Sequence, residues 1–281
     1  MRGRKTMKAN NKFSNLLVIF ILCLGSLLVV IPFIWMIFSS FKEIKEFYYM
    51  PPKILPDRFT LANFDELFNR ASFGKYYLNS ILVTVTQVIL NIIVVTTAGY
   101  GFSKFKFKGR KFLFTMVLAT TMVPWVVTII PLYILAYKAQ VIDTYAGLII
   151  PGMADAFSIF LARNFISTVP SSLLESARMD GAGEFAIFGR LVLPLIKPII
   201  AVITITRFVE CWNTFQWPLL VVTSEDKMTL PLAIAKFSGQ YNDAYNLRMA
   251  SAFLAIIPVL IVYITFQKYF VAGISLSGIK E

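Results

Sequence analysis

The chain has 281 residues, of which 57% are hydrophobic and 15% charged, with a mean hydropathy of +0.71 and a formal net charge of +12. A water-soluble domain keeps about a quarter of its residues charged, so this composition excludes an ordinary wetted surface. With no His and only 15 Asp plus Glu, it also offers little material for a catalytic constellation or a metal site.

A helix crossing about 30 Å of hydrocarbon needs roughly 20 apolar residues, and six stretches supply them. The first, Phe13 to Phe41, is uncharged and follows Arg2, Arg4, Lys5, Lys8 and Lys12. A cleavable secretion signal has an apolar core of about 7 to 15 residues; this stretch continues through Ile31, Pro32, Phe33 and Trp35, which predicts a retained anchor. From Lys42 to Lys75 a loop broken by Pro51, Pro52 and Pro56 leads to Thr60, a cap for a short helix with Leu61, Phe64, Leu67 and Phe68 at helical spacing. That helix lies either on a membrane or partner surface or in a solvated loop.

Tyr76 to Ser103 is the second uncharged span and Phe112 to Tyr137 the third, with Pro124 and Pro131 as kink points. Thr144 to Ala162 contains only Asp155, eight residues before Arg163, and Pro198 to Val222 contains Arg207 and Glu210 among Pro194, Pro198 and Pro218. Met249 to Gln267 closes the set. Trp35, Tyr76, Tyr77, Trp125 and Trp217 fall near span ends, where interfacial anchoring is expected. Cys23 and Cys211 fall inside spans and imply neither a disulfide framework nor metal ligation.

Six spans put both termini on one side. That side holds 16 of the 27 Lys and Arg and 4 acids, against 10 and 9 on the other. The excess of positive charge predicts cytoplasmic termini. The basic balance then reports orientation and contact with anionic lipid, and gives no reason to expect nucleic acid.

No G-x-x-x-x-G-K-[ST] loop is present, so any ATP energy arrives from a partner. The place for that partner is the predicted cytoplasmic stretch SSLLESARMDGAGEFAIFGRLVLP, Ser171 to Pro194. Ser172 and Glu175 have capping-box spacing, Gly181 and Gly183 permit a sharp end, and a second short helix is predicted from Glu184 to Leu193.

This stretch resembles the coupling motif of bacterial ABC importer permeases: E-A-A, a glycine after three residues, and I-x-L-P nine residues beyond it. Glu175, Ser176 and Ala177 stand for the opening, Asp180, Gly181 and Ala182 for the turn, and Leu191, Leu193 and Pro194 for the ending. Ser176 for Ala and Leu191 for Ile are the departures. The chain is also similar to the second permease of maltose-type carbohydrate importers. Phe41-Lys42, Leu78-Asn79-Ser80, Phe105 to Lys111, Met122-Val123-Pro124, Trp212-Asn213 and Trp217-Pro218 carry that resemblance, as do Gln267 to Val271, Gly273 and Gly278-Ile279-Lys280.

The resemblance implies an all-α integral membrane protein of the type I importer permease fold, about six transmembrane helices and a cytoplasmic coupling helix. Residues 1–12 would form a cytoplasmic tail, 13–75 the first span and outer segment, 76–271 the permease core with coupling loop 168–197, and 272–281 a second tail. It implies a multi-pass protein of the bacterial inner membrane that moves a sugar or oligosaccharide inward. Its partners would be a second permease, two ATPase subunits that hold the ATP and Mg, and an external solute-binding protein. No cofactor and no catalytic residue are expected in the chain itself. A permease of the same motif class for a non-sugar solute, and a secondary transporter, are the alternative readings.

Arg207 and Glu210 are unusual for that family. Charges inside a span cost about 2.5 to 3.5 kcal/mol each on insertion scales, so these two form a structural ion pair or line the path. In the second case Asn213, Gln216 and Trp217 would offer hydrogen bonds and an aromatic plate to a sugar.

Overall fold

The computed structural model describes residues 11–70, 72–240 and 244–277, all helix, turn or loop with no strand among them. In chain order the helices are α1 (Asn11–Ser39), α2 (Ala62–Arg70), α3 (Phe73–Lys104), α4 (Arg110–Ala119), α5 (Trp125–Lys138), α6 (Tyr145–Ile149), α7 (Ala156–Ser167), α8 (Ser171–Met179), α9 (Glu184–Ile187), α10 (Leu193–Leu195), α11 (Lys197–Trp212), α12 (Gln216–Val221), α13 (Leu230–Gln240) and α14 (Tyr245–Ser277). The basic residues Arg2, Arg4, Lys5 and Lys8 and the tail residues Gly278, Ile279 and Lys280 lie outside the described residues.

Three helices are each long and apolar enough to cross a bilayer: Ser14–Ser39, Phe73–Lys104 and Tyr245–Lys268. Three bent pairs bring the number to six when each pair is one crossing. The axis turns by 108° between Arg110–Met122 and Trp125–Lys138, by 46° between Tyr145–Gly152 and Ala156–Ser167, and by 77° between Glu184–Leu195 and Lys197–Trp212. The third, fourth and fifth spans are therefore broken; prolines mark kinks in the third and fifth, while none was expected in the fourth. Pro124 caps α5 at the first break, while Pro131 stays inside α5.

Contacts divide the chain into two units. One comprises residues 1–71 and 240–254. Here Phe41 packs on Phe64 and Phe253 at ring distances of 5.3 and 6.1 Å. The Asn63 amide donates to the carbonyls of Ser40 and Lys42, each at 2.8 Å, and accepts from Asn246 at 2.7 Å. Buried Glu46 accepts the backbone N–H of Asp57 at 2.7 Å, which orders the proline-rich stretch. Helix α2 starts at Ala62, whose N–H is taken by the Thr60 hydroxyl; Leu67 is buried, whereas Leu61 and Phe68 are exposed.

The other unit, 72–239 and 255–281, is organised around α3. Toward its C-terminus α3 sends Val95 and Tyr100 into a core with Ile159, Ala162, Ile166, Leu174, Ile187, Val192, Ile196 and Ile203. A Cβ on Gly99 would stand 2.9 Å from both Ala162 Cβ and Arg163 N, so glycine sets how closely α3 and α7 approach. Before Val95 the same helix carries buried Asn79, Ser80, Thr84, Gln87 and Asn91. Helix breaks leave backbone groups that lipid cannot satisfy, and this row satisfies them. Asn79 donates to the carbonyls of Asp226 and Met228, and Gln87 to those of Leu148 and Ile149. Asn91 reaches Gly152 and Met153, and the Ser80 hydroxyl accepts the Leu230 N–H at 2.7 Å. Tyr76 and Trp217, expected as interfacial anchors, are buried within this unit.

Candidate functional site

Two places in the second unit collect the residues singled out by sequence. The first is α8 and its exit. Pro170 (φ −61°, ψ 130°) turns the chain directly into the helix at Ser171, and no side chain caps it. The capping box expected from Ser172 and Glu175 is thus absent: Ser172 already lies within the first turn, where its backbone is helical. The helix end is as sharp as expected. Gly181 adopts φ +83°, a left-handed conformation that favours glycine, its N–H bonds the Arg178 carbonyl, and the Ala182 N–H bonds the Ala177 carbonyl at 2.9 Å. Those two bonds form a Schellman closure, with Ala177 and Ala182 in apolar contact with the core below.

Leu174 roots α8 in the core, while Glu175, Ser176, Asp180 and Gly181 face outward and Ala177 and Ala182 are half-buried. Beyond Gly183 the helix runs from Glu184 to Leu195 through a π-helical stretch, Phe188–Val192, which holds half-buried Leu191; Leu193 is half-buried and Pro194 exposed. Sequence reasoning missed the brace behind α8. Glu184 accepts from Arg178 Nε at 2.6 Å and from the Tyr100 hydroxyl at 2.8 Å, and Lys104 Nζ donates to the Val169 carbonyl. The contact with Glu184 holds the Arg178 guanidinium more firmly protonated than usual. No local spacing links Tyr100 to Glu184, 84 positions apart, so only the packing of α3 against the segment discloses it.

The second place is a cavity of about 730 Å³. Arg207, Glu210, Asn213, Gln216 and Trp217, the five residues marked in the fifth span, all line it. They sit there because that span is not continuous over 198–222. Helix α11 stops at Trp212, Asn213 turns its amide back to the Val209 carbonyl at 2.8 Å, and α12 starts only at Gln216. Trp217 donates its indole N–H to the Gly147 carbonyl at 2.9 Å and meets Trp125 edge-on.

Arg207 and Glu210 pair at 2.6 Å while also lining the cavity, so the two sequence readings of this pair are compatible. Arg207 additionally donates to the Gly152 carbonyl at 3.0 Å and approaches Asp155 at 3.7 Å. Asp155 does not engage Arg163. It caps α7 through the Ser158 N–H at 2.7 Å, while Arg163 lies over the Phe114 ring and bonds Asn164. Ser80, Thr84 and Gln87 of α3 also reach the cavity. Their spacing of four and three residues put them on one helical face, a signal readable in the second span but overlooked because none is charged.

Among the described residues no group of three or more His, Cys, Asp or Glu could hold a metal ion. Cavities with a few polar groups and exposed surface helices occur on many folds, and relatives narrow the choice. The arabinooligosaccharides transport system permease protein AraQ of Bacillus subtilis is 34% identical over 262 residues, 91% of this chain and 92% of its own length. The diacetylchitobiose uptake system permease protein NgcG of Streptomyces coelicolor is 31% identical, covering 91% and 85%. A crystal structure of a bacterial ABC transporter involved in import of the acidic polysaccharide alginate matches at a TM-score of 0.83 and 25% identity, over 94% of this chain and 99% of that one. Residues 95–276 match the model of the binding-protein-dependent transport system inner membrane component family. On this match and the near full-length relatives, the chain belongs to the family of inner membrane components of binding-protein-dependent transport systems.

Proposed function

We propose that this permease moves a sugar or oligosaccharide into the cytoplasm, paired with a second permease and driven by two ATPase subunits that bind α8. An external solute-binding protein delivers the sugar, and both chain termini are cytoplasmic. Relatives named for arabinooligosaccharides, diacetylchitobiose and lactose support the carbohydrate reading.

The observation that carries the coupling role is the contrast within α8: a helix closed at its C-terminus and rooted by Leu174 presents Glu175, Ser176 and Asp180 outward. A helix held this firmly transmits displacement. Glu184 and Tyr100 pass it to α3, whose Ser80, Thr84 and Gln87 stand on the cavity wall. ATPase closure would then shift that wall, and the broken spans would absorb the change by bending where backbone bonding is already interrupted.

Glu175→Lys in the assembled transporter tests this. Uptake of a labelled oligosaccharide into proteoliposomes should fall by at least tenfold and the ATPases should no longer co-purify, while the two permeases remain together. Unchanged uptake with unchanged ATPase recovery removes α8 from the coupling role.

A further inference from the structure

The cavity wall has a defined charge. Among the described residues Arg207 is the one basic side chain lining it, and each of its two terminal nitrogens already donates within the protein. Nη1 holds Glu210 at 2.6 Å, Nη2 holds the Gly152 carbonyl at 3.0 Å, and Nε faces Asp155 at 3.7 Å, leaving the side chain 11% exposed. Asp155 is likewise occupied, by the Ser158 N–H and the Asn91 amide. Glu210 differs: its carboxylate is 67% exposed.

Two carboxylates and one guanidinium leave this wall with a formal charge of −1. Glu210 lies in the last turn of α11, where the terminal carbonyls add negative potential. A carboxylate-bearing solute would meet that potential, while the one guanidinium is largely buried and held by Glu210 and the Gly152 carbonyl. A neutral saccharide can donate hydroxyls to Glu210, and a protonated amino sugar gains attraction as well.

We infer that Glu210 sets the substrate class of this wall, admitting neutral or amino-bearing saccharides and disfavouring uronate-bearing ones. The inference rests on the proposal that sugars pass through this cavity.

The test uses the complete transporter, without its binding protein, in nanodiscs. Tryptophan fluorescence, reported by Trp125 and Trp217, measures binding of maltotriose, trigalacturonate and triglucosamine. The wild type should bind trigalacturonate at least about tenfold more weakly than maltotriose, since one unscreened charge at contact distance is worth that much. The gap should narrow in concentrated salt. Glu210→Gln should bring the two within about threefold, and Glu210→Ala, which also releases Arg207, should favour the acid. Equal binding of acid and neutral trisaccharides by the wild type, or a ratio unmoved by both variants, overturns the charge rule while leaving the sugar path standing. Absence of response to all three saccharides overturns the path itself, and the charge rule with it.

Discussion

In the segment from Ser171 to Pro194, shape is decided within a few residues: a proline entry, a helix, and a glycine that lets two backbone bonds close its end. The cavity wall is assembled from afar: Gln87 bonds the Leu148 and Ile149 carbonyls, Arg207 the Gly152 carbonyl and Asn91 the Asp155 carboxylate, each across to a separate helix or loop. The first construction yields a rigid exposed surface suited to being pushed. The second yields a wall whose bonds can be exchanged, as a moving pathway requires.

The sharpest way to break this contrast is at Gly181. A Cβ there meets open space, so Gly181→Val acts only through the left-handed backbone, at about 1–2 kcal/mol or more for a β-branched residue. Co-purification of the ATPases should fall about tenfold, and Gly181→Asn, which tolerates this conformation, should lose much less. If valine were as well tolerated as asparagine, the locally closed end would not be what the partner needs.

At the wall, Gly152→Ala has a different basis. Its Cβ would lie 2.1 Å from Gln87 Nε2, so Gln87 must abandon the carbonyls of Leu148 and Ile149. Thermal unfolding in detergent should report a loss of about 1–3 kcal/mol, partly recovered by adding Gln87→Ala. Strict additivity of the two changes would mean that the contact between them carries no strain.

The smallest effect is expected at Asp143, in the loop before α6. Its carboxylate accepts the N–H groups of Ser224 and Thr223, the Ser224 hydroxyl and the Lys227 ammonium, which hold it well below the usual carboxylate range. A depressed folded value means that this clamp contributes fully above the ordinary carboxylate pKa of about 4 and is lost only as pH falls below it. Hydrogen exchange at Thr223 and Ser224, corrected for intrinsic rates, should be flat from pH 8 to 5. Asp143→Asn should speed it about fivefold, roughly 1 kcal/mol. Protection that fades between pH 7 and 5 would contradict the sign.

Much of the α8 segment was legible because glycine, proline and capping residues act on their immediate neighbours. Even there Ser172 misled, since Pro170 already supplied the entry geometry and left no cap position for it. The membrane character of α1, α3 and α14 was legible from apolar length alone. The breaks beside Val123 and Ile196 were signalled by Pro124, Pro194 and Pro198, whereas the one at Asn213 was not, because hydropathy sums register apolar content and ignore where a side chain can replace a backbone bond. Arg207 and Glu210 were found by their charge. Asp155 was noted only beside Arg163; its approach to Arg207, 52 positions later, lies beyond what spacing along one helix can disclose.

The π-helical stretch Phe188–Val192 has a consequence for registry. Ile187 and Val192, both fully buried, are five residues apart, which in a regular α-helix would set them about 140° from one another. One wider turn brings both toward the same core, which Ile199 and Ile203 join from beyond the 77° bend. The angular phase between Ile187 and Val192 therefore depends on a single supernumerary residue, and without it one of them would turn out of the core.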